Sequence, residues 1–192
     1  IIEAMNFRLD ASYQLDANNS IGANFGFLRN PKQTWNGDMS SSILQDEELA
    51  ESSDSHADFF WQKNNLSSNI YYVGKIGKLS IDFNTDWLWS KEYQNDVTKE
   101  QYQEVRMDAQ SQTAHSLTNK DYHLLASKLV LSYPLLGGDL SLGGEYSNTH
   151  RTSKYQVVPT NLVSDDDSRI TESMTSSFLT YSRDFGNLSL EA

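Results

Sequence analysis

The chain has 192 residues, enough for one sizeable domain, and its 15 basic against 26 acidic side chains give a formal net charge of -11 without the Lys/Arg clusters that nucleic acid would require. Cysteine is absent, which excludes disulfides, thiolate metal sites and cysteine nucleophiles together. No window approaches roughly 18 consecutive apolar residues, so a transmembrane helix is excluded, whereas a membrane β-barrel, whose wall alternates apolar and polar residues, is not.

In chain order, "IIEAMNFRLDASYQL" has neither the basic region nor the apolar core of a signal peptide and enters a strand almost at once. Asn6 to Leu15 places Phe7, Leu9, Ala11, Tyr13 and Leu15 on one parity. After the turn "DANN" (Asp16 to Asn19), Ser20 to Leu28 answers with Ile21, Ala23, Phe25 and Phe27. A long polar connection, about Asn30 to Asp58, follows. It holds the one stretch of helical composition, "SSSILQDEELAES" (Ser40 to Ser52), where Ile43, Leu44 and Glu47 to Ala50 suit two helical turns.

Phe59 to Val73 leads into the turn "GKIGK" (Gly74 to Lys78), and "GKLSIDFNTDWLW" leaves it with Leu79, Ile81, Phe83, Trp87 and Trp89 on one parity. Ser80, Asp82, Asn84 and Asp86 fall on the other. A second long connection, Ser90 to Asp121, precedes the strand Tyr122 to Tyr133, which carries Leu125, Leu129 and Leu131. The turn "PLLGGD" (Pro134 to Asp139) follows, then Leu140, Leu142, Gly144 and Tyr146. A third connection, Asn148 to Glu172, ends at Ser173 to Arg183, the turn "DFGN" (Asp184 to Asn187), and Leu188 and Leu190. Gly, Asn and Asp supply the backbone angles of tight hairpins.

About eight antiparallel strands in four hairpins are therefore expected, with short turns on one side and long loops on the other. This is the asymmetry of an outer-membrane barrel. From Leu79 to Trp89 is ten steps, roughly 33 Å along a strand, which at a tilt of about 40° spans the roughly 25 Å apolar band of such a barrel. Aromatic girdles are expected at Tyr71, Tyr72, Tyr133 and Phe185 beside the turns and at Trp87, Trp89 and Tyr146 toward the loops. Leu79, Ile81, Phe83, Leu129, Leu131, Leu140 and Leu142 are expected to face lipid, and Ser80, Asp82, Asn84, Lys128 and Glu145 the lumen.

Candidate chemistry is sparse. His56, His115, His123 and His150 are scattered, without metal-ligand spacing. Asp165, Asp166 and Asp167 in "SDDDSR" lack the order of a calcium loop and read as solvated. "LGGEY" (Leu142 to Tyr146) has no strand-to-helix context for phosphate and reads as a strand kink. Asp82, Asp86, Glu145 and Lys128 share the polar parity without a motif that fixes their geometry. No catalytic, cofactor-binding or metal-binding residue is expected, and no ligand contact is assignable.

"NIYYVGKIGKLSIDFNTDWLW", "KLVLSYPLLGGDLSLGGEYSNTHRT" and "DDDSRITESMTSSFLTYSRDFGNLSLEA" together resemble the outer-membrane β-barrel family of Bacteroidetes related to TonB-dependent receptors. The likeness runs from about Asn6 to the end and is densest over Asn69 to Trp89 and Leu129 to Arg151. It implies that residues 1–192 are part of one barrel domain of a longer protein, both ends reading as cut, with the plug and N-terminal domains of the family outside this chain. It further implies outer-membrane localisation, nutrient uptake without catalysis, and as partners the membrane lipid, the plug, the remaining barrel strands and an energy-coupling inner-membrane complex. An isolated piece has open edges and is expected to close into a small barrel, to curl its apolar face inward as a soluble sandwich or barrel, or to pair edges in a dimer, the last two being favoured without detergent. The alternatives are a non-transporting barrel with an adhesin or assembly role, and a soluble all-β carbohydrate-binding module that uses Trp35, Trp61, Trp87 and Trp89 as stacking platforms.

Overall fold

The computed structural model describes residues 1–104, 107–160, 162–186 and 188–191. Eight strands form one antiparallel sheet in simple up-and-down order: β1 (Ile2–Asp16), β2 (Asn19–Gln45), β3 (Glu48–Ile76), β4 (Leu79–Glu104), β5 (Gln110–Leu135), β6 (Gly138–Val158), β7 (Asp166–Phe185) and β8 (Leu188–Glu191). Among the described residues there is no helix and β1 is not paired with β8, so the sheet is open.

The four short turns fall where the Gly, Asn and Asp residues indicate. Gly77 (φ 61°) opens a two-residue link, and Leu136 (φ 53°) and Gly137 (φ 77°) both take positive angles. Those angles match the right-handed twist of the paired strands. At the first turn, Asp16 Oδ1 accepts from the Asn18 backbone N–H at 2.7 Å and from Asn19 Nδ2 at 2.8 Å. At the fourth, Gly186 has φ 64°, while Asn187 lies outside the described residues.

On the far side, the long polar connections are built of strand. β2 and β3 stay paired from Ser20↔Val73 up to Gln45↔Glu48, and β4 and β5 from Ser80↔Ser132 up to Tyr102↔Gln110. β3 has 29 residues, several times the usual five or six. The helix expected within Ser40 to Ser52 is not formed: Ser40↔Asp54, Ser41↔Ser53 and Ser42↔Ser52 are ladder pairs around a turn at Asp46 (φ 55°) and Glu47 (φ 69°). Two helical turns leave most of their backbone groups unpaired, and the hairpin satisfies them across the ladder.

Registers give the sheet two unlike faces. Tyr13, Ile21, Tyr72, Phe83, Leu129 and Gly144 form one cross-strand row, and Gly74, Ile81, Leu131, Leu142 and Leu179 form the next toward the turns. The row of Leu9, Phe25, Ser68, Trp87, Leu125 and Asn148 lies on the same face. From the row of Leu140 and Tyr181 up to that of Trp87, this face holds no Asp, Glu, Lys, Arg or His. Ser80, Asp82, Asn84, Lys128 and Glu145 point the other way, as expected from parity.

Tyr71 departs from the expected girdle. Its neighbour Tyr72 takes the apolar face, so Tyr71 takes the polar one, where its ring covers Gly22 in the adjacent strand. Phe178 covers Gly143 in the same way. A side chain at either glycine would occupy the ring's place.

No core lies between layers, because there is one layer. Among the described residues Val157 is the one buried hydrophobic side chain, and the accessible surface is 13634 Å². A folded monomer of this length exposes roughly 9,000 Å².

Candidate functional site

The polar face carries most of the structure's hollows. One of about 610 Å³ is lined by Arg8, Asn24, Asn69 and Asp86 among others, and one of about 360 Å³ by Asn84, Lys128, Glu145 and Met174. Among the described residues three ion pairs lie along it. Arg8 Nε lies 2.9 Å from Asp10, Lys128 Nζ 2.8 Å from Glu145, and Lys120 Nζ 3.1 Å from Glu92. Asn69 Nδ2 donates to Asn84 Oδ1 at 2.6 Å and to Asp86 Oδ1 at 2.7 Å.

Of the four residues singled out on the polar parity, Lys128 and Glu145 meet directly. Asp86 is held by Asn69, and Asp82 stands between Val73 and Val130 in its row. This is a water-facing surface on which part of the charge is paired within the sheet and part, Asp82 included, is left to water.

Beyond the apolar band the two faces change character. Pro31, which has no N–H to give a ladder, sits where the β2–β3 register shifts between Asn30 and Gln33. Below that bulge the odd-numbered residues of β2 belong to the apolar outward face. Above it they belong to the inner one. Trp35 thereby turns inward and stacks on Phe59, ring centroids 3.9 Å apart and planes 10° from parallel, with Trp61 two residues along β3 on the same face. Trp35 remains 63% exposed.

Behind this aromatic patch, Asp96 lies opposite Phe59, and burial raises its carboxyl above the usual range against the opposing hydrogen bond from Gln94. Trp87 and Trp89 lie on the opposite face of the sheet. The four tryptophans thus form no single platform.

The outward face of the same extension is mixed: Phe60 and Tyr93 meet edge-on, ring centroids 6.2 Å apart, and toward the tip the face becomes charged. His56 Nδ1 meets Asp38 Oδ1 at 2.6 Å, and its Nε2 lies 3.5 Å from Asp58 Oδ1. Hydrogen bonding to Asp38 raises the imidazole's pKa above its ordinary value, and the charges of Asp38 and Asp58 add to the effect. A hollow of about 370 Å³ beside it is lined by Asp38, Asp54, His56, Lys99 and Gln101.

Of the other histidines, His115 stands in a row with Val97 and Val158, and His123 pairs directly across the ladder with His150. Linear spacing could not reveal that last pairing, since 27 positions of sequence separate the two. His123 Nε2 lies 2.8 Å from Asp121, and His150 Nδ1 lies 2.8 Å from the Thr171 hydroxyl. Among the described residues no group of three or more His, Asp or Glu side chains is placed to hold a metal ion.

The acidic triplet closes a hairpin. Asp165 Oδ1 accepts from the Val157 N–H at 3.2 Å, and Asp167 lies 3.5 Å from Lys154 Nζ. Trp35 and Trp61 stand out in the sequence, but their grouping with Phe59 on the inner face does not, because the segment has the composition of a loop and a bulge shifts its parity.

No family model matches the sequence, and no curated protein matches it. Among solved structures the chain is similar to BauA, the ferric preacinetobactin receptor from Acinetobacter baumannii, at 12% identity and a TM-score of 0.48, over 99% of this chain and 29% of that one. It is also similar to FyuA, the ferric yersiniabactin uptake receptor from Yersinia pestis, at 11% identity and a TM-score of 0.34, over 88% of this chain and 36% of that one. The open form of Fiu, the ferric-catecholate import receptor from E. coli, matches at 12% identity and 0.43, over 93% of this chain and 32% of that one. The chain thus spans roughly a third of the length of these structures. TM-scores below 0.5 do not establish a common fold.

Proposed function

We propose that the chain is part of the wall of an outer-membrane β-barrel belonging to a nutrient receptor of the TonB-dependent kind, and that it has no catalytic role. The observation that carries this reading is the outward face. Across seven strands and about ten residues of height it is free of charge, while the opposite face carries matched ion pairs and amide networks. Water would leave such a face uncovered, and a second protein layer would require a core that this sheet lacks. Lipid covers it without further structure, and closure with additional strands removes the open edges at β1 and β8.

In this reading the polar face lines the lumen, where the plug of the complete protein would sit, and the short turns face the periplasm. The extended β2–β3, β4–β5 and β6–β7 hairpins stand outside the cell, with Trp35, Phe59 and Trp61 turned toward the barrel axis. Uptake would depend on the energy-coupling complex and the plug that the sequence resemblance to the Bacteroidetes family implies. The ligand would meet the inner surface of the hairpins first.

The test compares Phe83→Asp with Asp82→Ala in the full-length protein. A carboxylate on the lipid face near mid-band costs about 2 kcal/mol or more, whereas an alanine on the lumen face costs little. Heat-modifiable protein in outer-membrane fractions should fall at least several-fold for Phe83→Asp and stay near the parent level for Asp82→Ala. Equal assembly of the two would refute the lipid-facing assignment.

A further inference from the structure

One cross-strand row on the outward face differs from every row beneath it. Arg29, Asn64, Lys91, Asp121, Thr152 and Arg169 are successive ladder partners from β2 to β7. This row stands one step beyond that of Phe27, Leu66, Trp89, His123 and His150, at the upper rim of the charge-free band. Neighbouring strands are about 4.8 Å apart, so the row runs roughly 24 Å around the sheet.

Arg29, Lys91 and Arg169 are exposed, and among the described residues no carboxylate lies within ion-pair distance of any of them. The single acid of the row, Asp121, is engaged by His123 at 2.8 Å. Asn64 and Thr152 add neutral donors. On the polar face Arg8, Lys120 and Lys128 each hold a carboxylate, and two cations there without such a partner among the described ion pairs, Lys63 and Arg151, lie in different rows. In a chain of net charge -11, unmatched cations gathered at one level call for an anion from outside.

We propose that this row binds the phosphate groups of phosphorylated lipids in the outer leaflet, fixing the barrel's depth in the membrane. The inference rests on the membrane-wall reading above. Its geometry fits that ligand: the stems of Arg and Lys lie along the apolar band while their heads reach the headgroup level, and Trp89 beneath them sits where interfacial tryptophans anchor. The phosphate brings the missing negative charge, and the bidentate fork of each arginine suits its oxygens.

The experiment uses the full-length protein extracted from outer membranes in mild detergent and equilibrated with micelles containing phosphatidylglycerol or phosphatidylcholine. Phospholipid retained per protein is counted after washing. Three proteins are compared: the parent, the triple variant Arg29→Gln, Lys91→Gln, Arg169→Gln, and a charge-matched control, Lys63→Gln, Lys120→Gln, Arg151→Gln, on the polar face. The parent should retain phosphatidylglycerol in preference to phosphatidylcholine. The outward triple variant should lose that retention by about five-fold per cation removed, and the control by less than about two-fold.

Equal retention in all three, an equal loss in both variants, or full displacement of the lipid by millimolar inorganic phosphate would overturn the headgroup site. Heat-modifiable mobility is scored on the same samples. If it persists while retention is unchanged, the lipid-binding row fails and the membrane wall stands. If the parent shows none and is soluble without detergent, the membrane reading itself fails and the row with it.

Discussion

His56 shows how a single side chain in the extended hairpin ties two strands. Its ring bridges Asp38 on β2 and Asp58 on its own strand, and Lys99 of β4 and Asp54 complete the charged surroundings on that face. Because Asp38 raises the imidazole's pKa, the tie is fully present below the ordinary histidine value of about 6.5 and is lost as the pH rises through the higher folded value. Amide exchange near Asp38 and Ser55 should therefore accelerate as the pH moves from about 6 to about 8, beyond the intrinsic base-catalysed increase. In His56→Gln that excess should vanish. An unchanged excess in the variant would assign the pH response elsewhere.

At the scale of the element, alternation in the sequence was a reliable guide inside the band and an unreliable one above it. Leu79, Ile81 and Phe83 kept the period-two pattern because the strand runs without interruption from its Gly77 turn. Over Asn30 to Asp58 the composition is that of a loop, rich in Ser, Asp and Asn, and strand formation there comes from ladder hydrogen bonds with a partner of matching length. The bulge at Pro31 then exchanged the faces of β2, so that Trp35 points inward. A simple parity count would place it outward with Arg29.

The hairpin beyond the bulge contacts nothing that the band requires. Replacing residues 36–58 by an Asn-Gly turn joins Trp35 to Phe59, which already face each other across the ladder. Outer-membrane assembly should stay within about two-fold of the parent, since the charge-free band is untouched. Loss of assembly would mean that the extension takes part in forming the wall.

For the whole molecule, the exposed surface exceeds that of a self-contained monomer by about 4,000 Å², and both sheet edges are open. The isolated 192-residue chain in detergent-free buffer should therefore associate through β1 or β8, and sedimentation should show dimers or larger species. On the proposed reading, further strands of a longer protein cover those edges, and the same measurement on that protein in detergent should give a single barrel. A monodisperse monomer of the isolated chain in water would contradict the reading of the sheet as a wall segment.

What the sequence determined by itself was local: the all-β character, the four tight turns, and which residues of the band share a face. Each follows from period-two alternation and the backbone angles of Gly, Asn and Asp, properties that act within a few residues. Only the tertiary structure decided the reach of the hairpins, the inward turn of Trp35, the meeting of His123 with His150, and the alignment of Arg29, Lys91 and Arg169 into one row. Those depend on register between strands distant in sequence, which hydrogen-bond ladders and one bulge set, and which no single stretch of residues encodes.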